Sequence, residues 1–586
     1  MRIAVVDRDK CQSRQCSHEC LKYCPAMRNN DETIVLDEKH KAIISEELCI
    51  GCGICTHKCP FHAIEMIGLP EELGEEMVHQ YGENGFRVYR LPCPQEGRVI
   101  GLLGPNGIGK TTALNILNGE LVPNLGGRGK GWGDVLEHFA GTELHDFMER
   151  LSNDELTRAV KPQYVDKIPK VFKGTVSELI KPEELTNAQE PLLEALYLTN
   201  VLDRDISKLS GGELQRVAIG ATLLKDADIY YFDEPSSYLD IFQRLQVAKI
   251  IKELVKKKMV MVIEHDLAVL DFLADTVHLM YGHKGAYGVI SQPLNVRHSI
   301  NTYLDGYLRE ENVRFRDKPI VFESHPPKKE WVTGSLVEFD ELHKRFKGFK
   351  LVTHPGQIRF GEVVGVLGPN ATGKTTFVKM LAREIKPTQG EVSGSMKVSY
   401  KPQYIKPNFD GTVEMLFLVM KNEIDQDFFR AEIMRPLGID NLMQREVQAL
   451  SGGELQSVSI GLCIARDADI YLIDEPSAYL DSNQRIIAAK TIRRAMEKRG
   501  RSALIVEHDV YFIDMVADSL MVFKGEPGAR GEGFGPFNMR VGMNKFLENV
   551  GITFRRDEDT NRPRINKLES RLDREQKSKG EFYYSS

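Results

Sequence analysis

A repeat with a spacing of 241 residues is the feature that most constrains the fold of this chain. The string Leu-Ser-Gly-Gly-Glu at 209–213 returns at 450–454, and Asp-Glu-Pro at 233–235 returns at 474–476. Two copies of one motif set, in register within 586 residues, imply two related domains arranged as an internal pseudo-dimer.

Each copy carries a phosphate-binding loop after an apolar strand. Glycines in such a loop let backbone N–H groups approach phosphates, its lysine neutralises the β and γ oxygens, and its threonine reaches magnesium. Ala371 stands where the first copy has Gly107, but a methyl group need not remove the backbone donor. We therefore expect ATP in both copies. The predicted contacts are Asn106, Gly107, Gly109, Lys110, Thr111 and Thr112 in the first, and Asn370, Gly373, Lys374, Thr375 and Thr376 in the second.

Adjacent carboxylates follow a second apolar strand in each copy. Asp233 and Asp474 can hold magnesium together with Thr111 and Thr375, while the acid that follows polarises the attacking water. A histidine ends a further strand in both copies and is suited to sensing the γ-phosphate. The predicted catalytic residues are thus Glu234, Glu475, His265 and His508. Alternating strands and helices around them indicate an α/β fold.

Eight of the ten cysteines lie in the first sixty residues. The x2-x2-x3-Pro spacing that begins at Cys49 is typical of bacterial ferredoxins, in which three thiolates hold one 4Fe-4S cluster and the fourth holds its neighbour. Two zinc knuckles are the alternative. Cys93 and Cys463 are expected to be small core residues. By the crossover rule, Cys11, Cys16, Cys20 and Cys59 hold one cluster, and Cys24, Cys49, Cys52 and Cys55 hold the other.

Composition limits the class of protein. With 42% hydrophobic and 27% charged residues the chain is expected to be globular, and a net charge of −7 argues against a wholly basic nucleic-acid binder. No apolar run approaches the roughly 18 residues of a spanning helix, and the N-terminus lacks a secretory signal. We expect a cytoplasmic protein without membrane contact, in which clustered cysteines bind metal rather than form disulfides.

The expected boundaries follow the motifs. A ferredoxin-like domain is expected at 1–75, nucleotide-binding domains at 76–285 and 331–525, a first hinge at 286–330, and a second hinge with the tail at 526–586. An extra 24 residues between Lys110 and Gln163 predict a helix-loop-helix insertion at about 128–155, either sealing its own core or contacting a partner. The charged tail after Asp557 is expected to be solvated.

The repeated strings together resemble ATP-binding cassette (ABC) proteins. The resemblance rests on the Leu-Ser-Gly-Gly-Glu signature, Asp-Glu-Pro, Glu-His-Asp, and Lys-Pro-Gln-Tyr strings that place Gln163 and Gln403. It implies two P-loop domains in a head-to-tail pseudo-dimer, with both glutamines at the magnesium and the catalytic centre. It also implies that Ser210 and Gly212 cap the ATP held by Lys374, while Ser451 and Gly453 cap the ATP held by Lys110.

With the cysteine head, the insertion and a duplicated hinge, nearly the whole chain resembles the ribosome-recycling ATPases of cassette subfamily E, the RNase L inhibitor family. The resemblance implies splitting of ribosomes into subunits after termination, with ribosomal subunits, a release-factor-like protein and initiation factors as partners of a monomer. It implies adenine stacking by Tyr81 and Phe86, with Phe346 or Phe349 as weaker candidates in the second copy. Ser457 departs from the family pattern, which has arginine there, as Arg216 does.

Other functions remain open at this point. An ATP-gated electron-transfer protein would also use ferredoxin cysteines, and it predicts clusters that change redox state during turnover. A transporter ATPase subunit leaves those cysteines without a purpose. A DNA-repair cassette is disfavoured because no long heptad arm interrupts either copy.

Overall fold

The computed structural model describes residues 2–584 except 9, 30, 47, 69–70, 130, 183–188, 323–333, 395, 404–406 and 420–425. Within these residues, no helix is both long and apolar enough to cross a membrane. The described chain forms a small N-terminal domain followed by two α/β lobes.

The N-terminal domain is built from short elements around the cysteines. Strands β1 and β4 pair antiparallel, as do β2 and β3. Six of the eight cysteine side chains share a core with apolar residues such as Ala4 and Ile64. The elements are β1 Arg2–Val6, α1 Glu19–Tyr23, α2 Pro25–Arg28, β2 Ile34–Leu36, β3 Ala42–Ile44, α3 Ile54–Lys58 and β4 Ile64–Gly68.

The first lobe and the segment after it contain β5 to β15 and α4 to α13. Their bounds are β5 Met77–Gln80, β6 Arg87–Tyr89, β7 Val99–Leu103, α4 Lys110–Leu117, α5 Trp132–His138, α6 Leu144–Ser152, β8 Arg158–Lys161, α7 Ile168–Val171, α8 Val176–Ile180, α9 Glu190–Ala195, α10 Gly211–Leu223, β9 Ile229–Asp233, α11 Ile241–Leu254, β10 Met259–Ile263, α12 Leu267–Leu273, β11 Thr276–His283, β12 Tyr287–Ile290, β13 Leu294–Asn295, α13 Val296–Asp305, β14 Tyr307–Leu308 and β15 Val313–Arg314.

The second lobe and the C-terminal segment contain the remaining elements. These are β16 Ser335–Phe339, β17 Leu342–Phe346, β18 Phe349–Thr353, β19 Gly356–Arg359, β20 Val363–Leu367, α14 Lys374–Leu381, β21 Val392–Ser393, β22 Val398–Lys401, α15 Val413–Val419, α16 Gln426–Phe429, α17 Gly452–Ala465, β23 Ile470–Asp474, α18 Ser482–Arg499, β24 Ser502–Val506, α19 Val510–Val516, β25 Ser519–Glu526, β26 Arg530–Asn538, α20 Met539–Val550, β27 Phe554–Arg556, β28 Pro563–Ile565 and α21 Arg571–Lys579.

The two lobes repeat one sheet order. It is β5-β6-β12-β11-β7-β10-β9-β8 in the first and β17-β18-β26-β25-β20-β24-β23-β22 in the second. The central strands β7, β10 and β9 pair in parallel and are buried along their whole length, which explains their continuous apolar sequence. Because the carboxyl ends of parallel strands meet at one edge, the sheet brings the motifs together.

Both sheets extend past the boundaries expected from sequence. Strand β12 pairs with β11 beyond residue 285, and β26 pairs with β25 beyond residue 525. The reason is a hairpin turn at Gly285 and Gly528, each with a φ near +78°, which returns the chain into the sheet.

Two helices, α5 and α6, occupy the insertion in the first lobe. Val135 of α5 and Met148 of α6 are fully buried, and they pack in one cluster with Leu114 and Leu117 of the helix after the P-loop. The inner face of the hairpin therefore seals the core of its own lobe.

One side of the C-terminal segment is buried and the other is exposed, so the expectation of a solvated tail was wrong for the buried side. Arg562 and Asp573 have fully buried side chains, and Tyr583 is 5% exposed. Two charged residues of the segment pair with the first lobe and the hinge: Arg562 donates to Asp271 Oδ2 of α12 at 3.1 Å, and Asp557 accepts from Arg297 of α13 at 2.9 Å. Asp573 instead accepts from Thr553 Oγ1 within the segment. Alternating charge on this segment therefore marks internal ion pairs between the lobes.

Candidate nucleotide and iron–sulfur sites

The two P-loops sit between a buried strand and the N-terminus of a helix. Lys110 Nζ donates to the carbonyl oxygens of Gly104 and Pro105, at 2.8 and 2.7 Å, and Lys374 makes the equivalent bonds at 2.9 and 2.7 Å. Burial lowers the pKa of Lys110 to about 8 despite attraction by Asp481. An anion in the loop would offset that cost. Ala371 adopts a φ of +59°, so the second loop keeps the left-handed turn that Gly107 makes in the first.

A buried carboxylate at the end of β23 and β9 fits a divalent cation. Asp474 Oδ2 accepts a hydrogen bond from Thr375 Oγ1 at 2.7 Å, while Asp474 Oδ1 is buried without a partner. Burial and the neighbouring glutamate raise the pKa of Asp474 to about 6 and that of Asp233 to about 7. A Mg²⁺ ion would stabilise the ionised form of this carboxylate and would bind its unpaired oxygen next to the threonine hydroxyl.

The glutamate after each of these acids occupies a left-handed backbone position, with φ of +50° at Glu234 and +46° at Glu475. This conformation turns the carboxylate out of the strand direction. Gln163 Nε2 donates to Glu234 Oε1 at 2.6 Å, and Gln403 Nε2 donates to Glu475 Oε1 at 2.7 Å. The strand end and the Lys-Pro-Gln-Tyr string therefore meet at one carboxylate in each lobe.

A histidine flanks each of these glutamates. His265 Nε2 lies 3.5 Å from Glu234 Oε1, and His508 Nε2 lies 3.4 Å from Glu475 Oε1. Burial would raise the pKa of Glu475, but hydrogen bonds from His508 and Gln403 and the histidine's charge lower it to about 2. Burial holds the pKa of His265 well below its ordinary value. In each lobe the glutamate therefore lies between the glutamine and the histidine.

Hydrogen bonds cross between the lobes at both P-loops. The backbone N–H of Asn106 donates to Asp481 Oδ2 at 3.0 Å, and that of Asn370 donates to Asp240 Oδ2 at 2.8 Å. Asp240 and Asp481 also cap α11 and α18, which fixes their orientation. Ser482 Oγ donates to the carbonyl of His265 at 2.6 Å. Each P-loop is therefore in direct contact with the opposite lobe.

The signature serines lie at helix N-termini that face this interface. Ser210 and Ser451 both form capping boxes, with Glu213 and Glu454 respectively. Behind them, Tyr238 and Tyr479 meet across the lobes with ring centroids 6.0 Å apart. The signature loops are thus held rigidly at the lobe–lobe contact.

One continuous cavity of about 1270 Å³ runs along the interface, and most residues predicted for the nucleotide sites line it. Both signatures and both P-loops contribute to its walls. Five of the predicted residues do not line it, namely Phe346, Phe349, Gly373, Thr376 and Asp474. The predicted residues that do are Tyr81, Phe86, Asn106, Gly107, Gly109, Lys110, Thr111, Thr112, Gln163, Ser210, Gly212, Asp233, Glu234, His265, Asn370, Lys374, Thr375, Gln403, Ser451, Gly453, Glu475 and His508.

The candidate adenine-stacking rings differ between the lobes. Tyr81 is 47% exposed and lines the cavity with Phe86. A Cβ built on Gly109 would lie 2.6 Å from the Phe86 ring, and one built on Gly373 would lie 3.1 Å from the Phe349 ring. Phe349 therefore occupies in the second lobe the position of Phe86 in the first, whereas Phe346 is 48% exposed beside Lys344.

The eight N-terminal cysteines fall into two groups of four. One small cavity is lined by Cys24, Cys49, Cys52 and Cys55, and another by Cys11, Cys16, Cys20 and Cys59. Burial and the neighbouring thiols raise the pKa of Cys20 to about 12 and that of Cys55 to about 11. Four thiols around one cavity suit a metal cluster, which would hold them as thiolates. Among the described residues, no three His, Cys, Asp or Glu side chains are grouped to hold a single metal ion.

The two other cysteines differ from each other. Cys463 is 4% exposed in the core of the second lobe. Cys93 is only half-buried, and its Sγ lies 3.4 Å from the carbonyl of Glu143 at the start of α6. Cys463 is thus a core residue, as expected, and Cys93 packs at the edge of the core of the first lobe.

Sequence reasoning missed the lysines of the Lys-Pro-Gln-Tyr strings as site residues. Lys161 is fully buried, and its Nζ donates to the carbonyls of Asp233 and Glu234 at 2.8 and 3.1 Å. Lys401 repeats these bonds at Asp474 and Glu475. The sequence signal for these residues was that a lysine stands at the same position of both copies, at the end of an apolar strand. A lysine buried at such a position needs a hydrogen-bond acceptor.

Fold and sites define the class of the chain: an ATPase with two ABC cassettes and an N-terminal iron–sulfur domain. Family models match it as "ABC transporter" at 93–237 and 355–478, as "Possible Fer4-like domain in RNase L inhibitor, RLI" at 1–32, and as "4Fe-4S binding domain" at 42–65.

Similar proteins and solved structures identify the family within this class. Translation initiation factor RLI1 of Saccharomyces cerevisiae is 44% identical over 596 residues, covering 100% of this chain and 98% of the yeast protein. A structure described as ribosome-bound archaeal Pelota and ABCE1 is 52% identical with a TM-score of 0.93, covering 100% of this chain and 99% of its own. The archaeal ribosome recycling factor aABCE1, in complex with the stalk protein aP1, is 53% identical with a TM-score of 0.84, covering 88% and 100%. The chain belongs to the RNase L inhibitor family, subfamily E of the ABC proteins.

Proposed function

We propose that this protein is an ATP-driven ribosome recycling factor, which splits ribosomes into subunits after termination. The observation that carries the proposal is the match over essentially the whole length of both chains to an archaeal ABCE1 described as ribosome-bound with Pelota. Ribosomal subunits and a release-factor-like protein are its partners, with initiation factors as further ones. Its place of action is the cytoplasm, and it acts as a monomer.

Two composite ATP sites supply the driving force. Lys110 works with Ser451 and Gly453, and Lys374 with Ser210 and Gly212. The bonds of Asn106 and Asn370 join the two lobes, and ATP that bridges P-loop and signature adds contacts that stabilise the closed state. Hydrolysis removes the γ-phosphate bridge and permits opening.

The catalytic residues act in pairs within each lobe. Glu234 and Glu475 orient the attacking water, held in place by Gln163 and Gln403. His265 and His508 face the γ-phosphate from the neighbouring strand end. Magnesium, held at Thr111, Gln163 and Asp233 and at Thr375, Gln403 and Asp474, would neutralise phosphate charge.

A turn of the first lobe links the Lys110 site to the cluster domain. Gly285 N–H donates to the P-loop carbonyl of Gly107 at 3.3 Å. In the same turn, His283 lies 3.2 Å from Glu65 of β4, and Ala286 packs with Ile3, Val5 and Ile67 of the cluster domain. A shift of the P-loop therefore reaches the cluster domain through a few direct contacts.

Two 4Fe-4S clusters are proposed as structural cores of that domain. A head of about sixty residues has little apolar interior, and metal–thiolate bonds replace it. When bound, the clusters supply rigidity, so the domain can transmit force as one body. ATP turnover is then expected to be indifferent to reductants, unlike in an ATP-gated electron-transfer protein.

The test is subunit splitting followed by sedimentation. Ribosomes are incubated with the holoprotein, ATP and the release-factor-like partner, and free subunits are quantified on sucrose gradients. The variant Lys110→Ala/Lys374→Ala should lose splitting, while Lys397→Ala, a surface lysine away from the cavity, should keep it. Splitting by the double variant at the unaltered rate would refute the proposal.

A further inference from the structure

Outside the residues already assigned, the described parts of the two composite sites differ in charge at the positions of Arg216 and Lys284. On the signature helix α10, Arg216 lines the interface cavity facing the site of Lys374. Its Nε is buried without a hydrogen-bond partner, and burial lowers the pKa of its guanidinium. The equivalent position of α17 is Ser457, which is 6% exposed and uncharged. The Lys110 site therefore receives no cation from the opposite signature helix.

The hairpin turn next to each P-loop also differs in charge between the lobes, and here the cation belongs to the Lys110 site. Lys284 lies on the turn between β11 and β12, and Pro527 lies on the turn between β25 and β26. The two turns are structurally equivalent: Gly285 and Gly528, which follow, both donate backbone N–H bonds to the P-loop, at Gly107 O and Ala371 O. Both turns line the cavity. One lobe thus carries a cation at this point where the other carries a proline.

The Lys284 side chain runs over the P-loop of its own lobe towards the signature of the opposite lobe. A Cβ built on Gly107 of the P-loop would be 2.9 Å from Lys284 Cγ. At its far end, Lys284 Nζ lies 3.9 Å from Glu454 Oε1 in the opposite lobe. Glu454 Oε2 accepts from the backbone and hydroxyl of Ser451, at 2.9 and 2.8 Å. The Lys284 side chain therefore connects the P-loop of one lobe with the glutamate that holds the signature serine of the other.

We infer that Lys284 is a nucleotide-binding residue of the Lys110 site. Ser457 of the opposite lobe carries no charge, and Lys284, which belongs to the same lobe as the P-loop, supplies the positive charge instead. Arg216 performs this task at the Lys374 site from the opposite lobe. Each site thus receives one additional cation for the triphosphate. The inference rests on the proposed composite sites.

Equilibrium binding of radiolabelled ATP with Mg²⁺ tests this inference in the full-length holoprotein. The background Glu234→Gln/Lys374→Ala confines binding to the Lys110 site and prevents turnover. Lys284→Ala should raise the Kd about threefold to tenfold, because it removes one charge from a partly exposed site. Adding Ser457→Arg should restore most of the affinity. The matched control is Lys397→Ala, since Lys397 is as exposed as Lys284, at 73%, and also forms an ion pair.

The rescue separates a phosphate-binding cation from a simple lobe latch. The guanidinium introduced by Ser457→Arg would lie on the same lobe as Glu454 and could not replace a cross-lobe ion pair, yet it would replace a charge beside the phosphates. An unaltered Kd for Lys284→Ala, or a loss that Ser457→Arg leaves uncorrected, overturns the inference. If Ser457→Arg does not fold, the equivalent exchange at the Lys374 site provides the test. In a Glu475→Gln/Lys110→Ala background, Arg216→Ser should weaken ATP binding at the Lys374 site, and adding Pro527→Lys should restore it.

A further variant distinguishes this inference from the proposal beneath it. Gly453→Asp places a carboxylate in the signature that caps the Lys110 site, and it should weaken ATP binding there strongly. If Gly453→Asp weakens binding and Lys284→Ala does not, only the role of Lys284 fails. If neither changes the Kd, the composite site fails, and the inference fails with it.

Discussion

Asn106 and Asp481 are 375 residues apart in the sequence and are joined by a hydrogen bond of 3.0 Å between the backbone N–H of the first and Oδ2 of the second. Its pseudo-symmetric counterpart joins Asn370 to Asp240 at 2.8 Å. These bonds place the P-loop of each lobe against the helix that follows the Asp-Glu-Pro string of the other. A nucleotide bound at the P-loop of one lobe can therefore affect the position of the other lobe.

Asp481→Asn is expected to weaken ATP binding at the Lys110 site about tenfold. An amide has a single oxygen, so it cannot both cap α18 at Gln484 N–H and accept from Asn106, and a hydrogen bond to a charged group contributes about 1.5–3 kcal/mol. Equilibrium ATP binding in a hydrolysis-deficient background measures the effect. The matched variant Asp240→Asn should weaken the Lys374 site instead. Equal effects of both variants on both sites would contradict separate cross-lobe contacts.

Glu234→Gln/Glu475→Gln is expected to lower the rate of phosphate release by about 10²–10⁴, because the general base is lost from both sites. ATP binding should persist, since the amide oxygen can still accept from Gln163 or Gln403. Steady-state phosphate release and ATP binding are measured in parallel. Glu149→Gln, on the exposed face of α6, serves as the control. Retention of more than about a tenth of the rate would assign the base elsewhere.

Cys24→Ser is expected to remove only the cluster shared with Cys49, Cys52 and Cys55, because these four thiols line one cavity. Iron content per chain should fall by half, and the same should follow from Cys59→Ser through the other cavity. Iron analysis and visible absorption of the purified holoprotein report the result, with Cys93→Ser as the control. Bound zinc in place of iron in the unaltered protein would contradict the cluster assignment.

Asp557→Asn is expected to destabilise the contact between hinge and tail by about 2 kcal/mol, because Arg297 and Arg564 each lose one charged hydrogen-bond partner. Arg297 keeps Asp559 and Arg564 keeps Asp271 as partners. Despite burial, Arg562, Asn301 and Arg297 lower the pKa of Asp557 to about 2. An acid with a depressed pKa stabilises the fold above its unfolded pKa of about 3.9, and the contribution disappears as the pH falls towards 2.

The pH dependence provides the check on this network. The difference in thermal unfolding midpoint between the unaltered protein and Asp557→Asn should stay constant from about pH 8 to 5 and shrink below about pH 4. A difference that already shrinks between about pH 7 and 5 would show that another group, and not Asp557, controls the contact.

Much of the site was accessible from the sequence because its chemistry is local. The P-loop, the acid pair and the cysteine spacing each fit within a dozen residues, and a strand followed by a turn suffices to present them. The tail was misread for the opposite reason. Arg562 and Asp573 look like solvent-facing charges until the partners of Arg562 on α12 and of Asp573 at Thr553 are seen.

The repeat itself determined that there are two lobes with one sheet order, and the cysteine spacing determined a metal-binding head. Tertiary structure decided which residues lie opposite each P-loop and which hairpin turn contacts the cluster domain. It also decided that Lys284 of one lobe and Ser457 of the other belong to the same nucleotide site. Those relationships join residues hundreds of positions apart. They depend on how two finished lobes pack face to face, and no periodicity within either lobe encodes that packing.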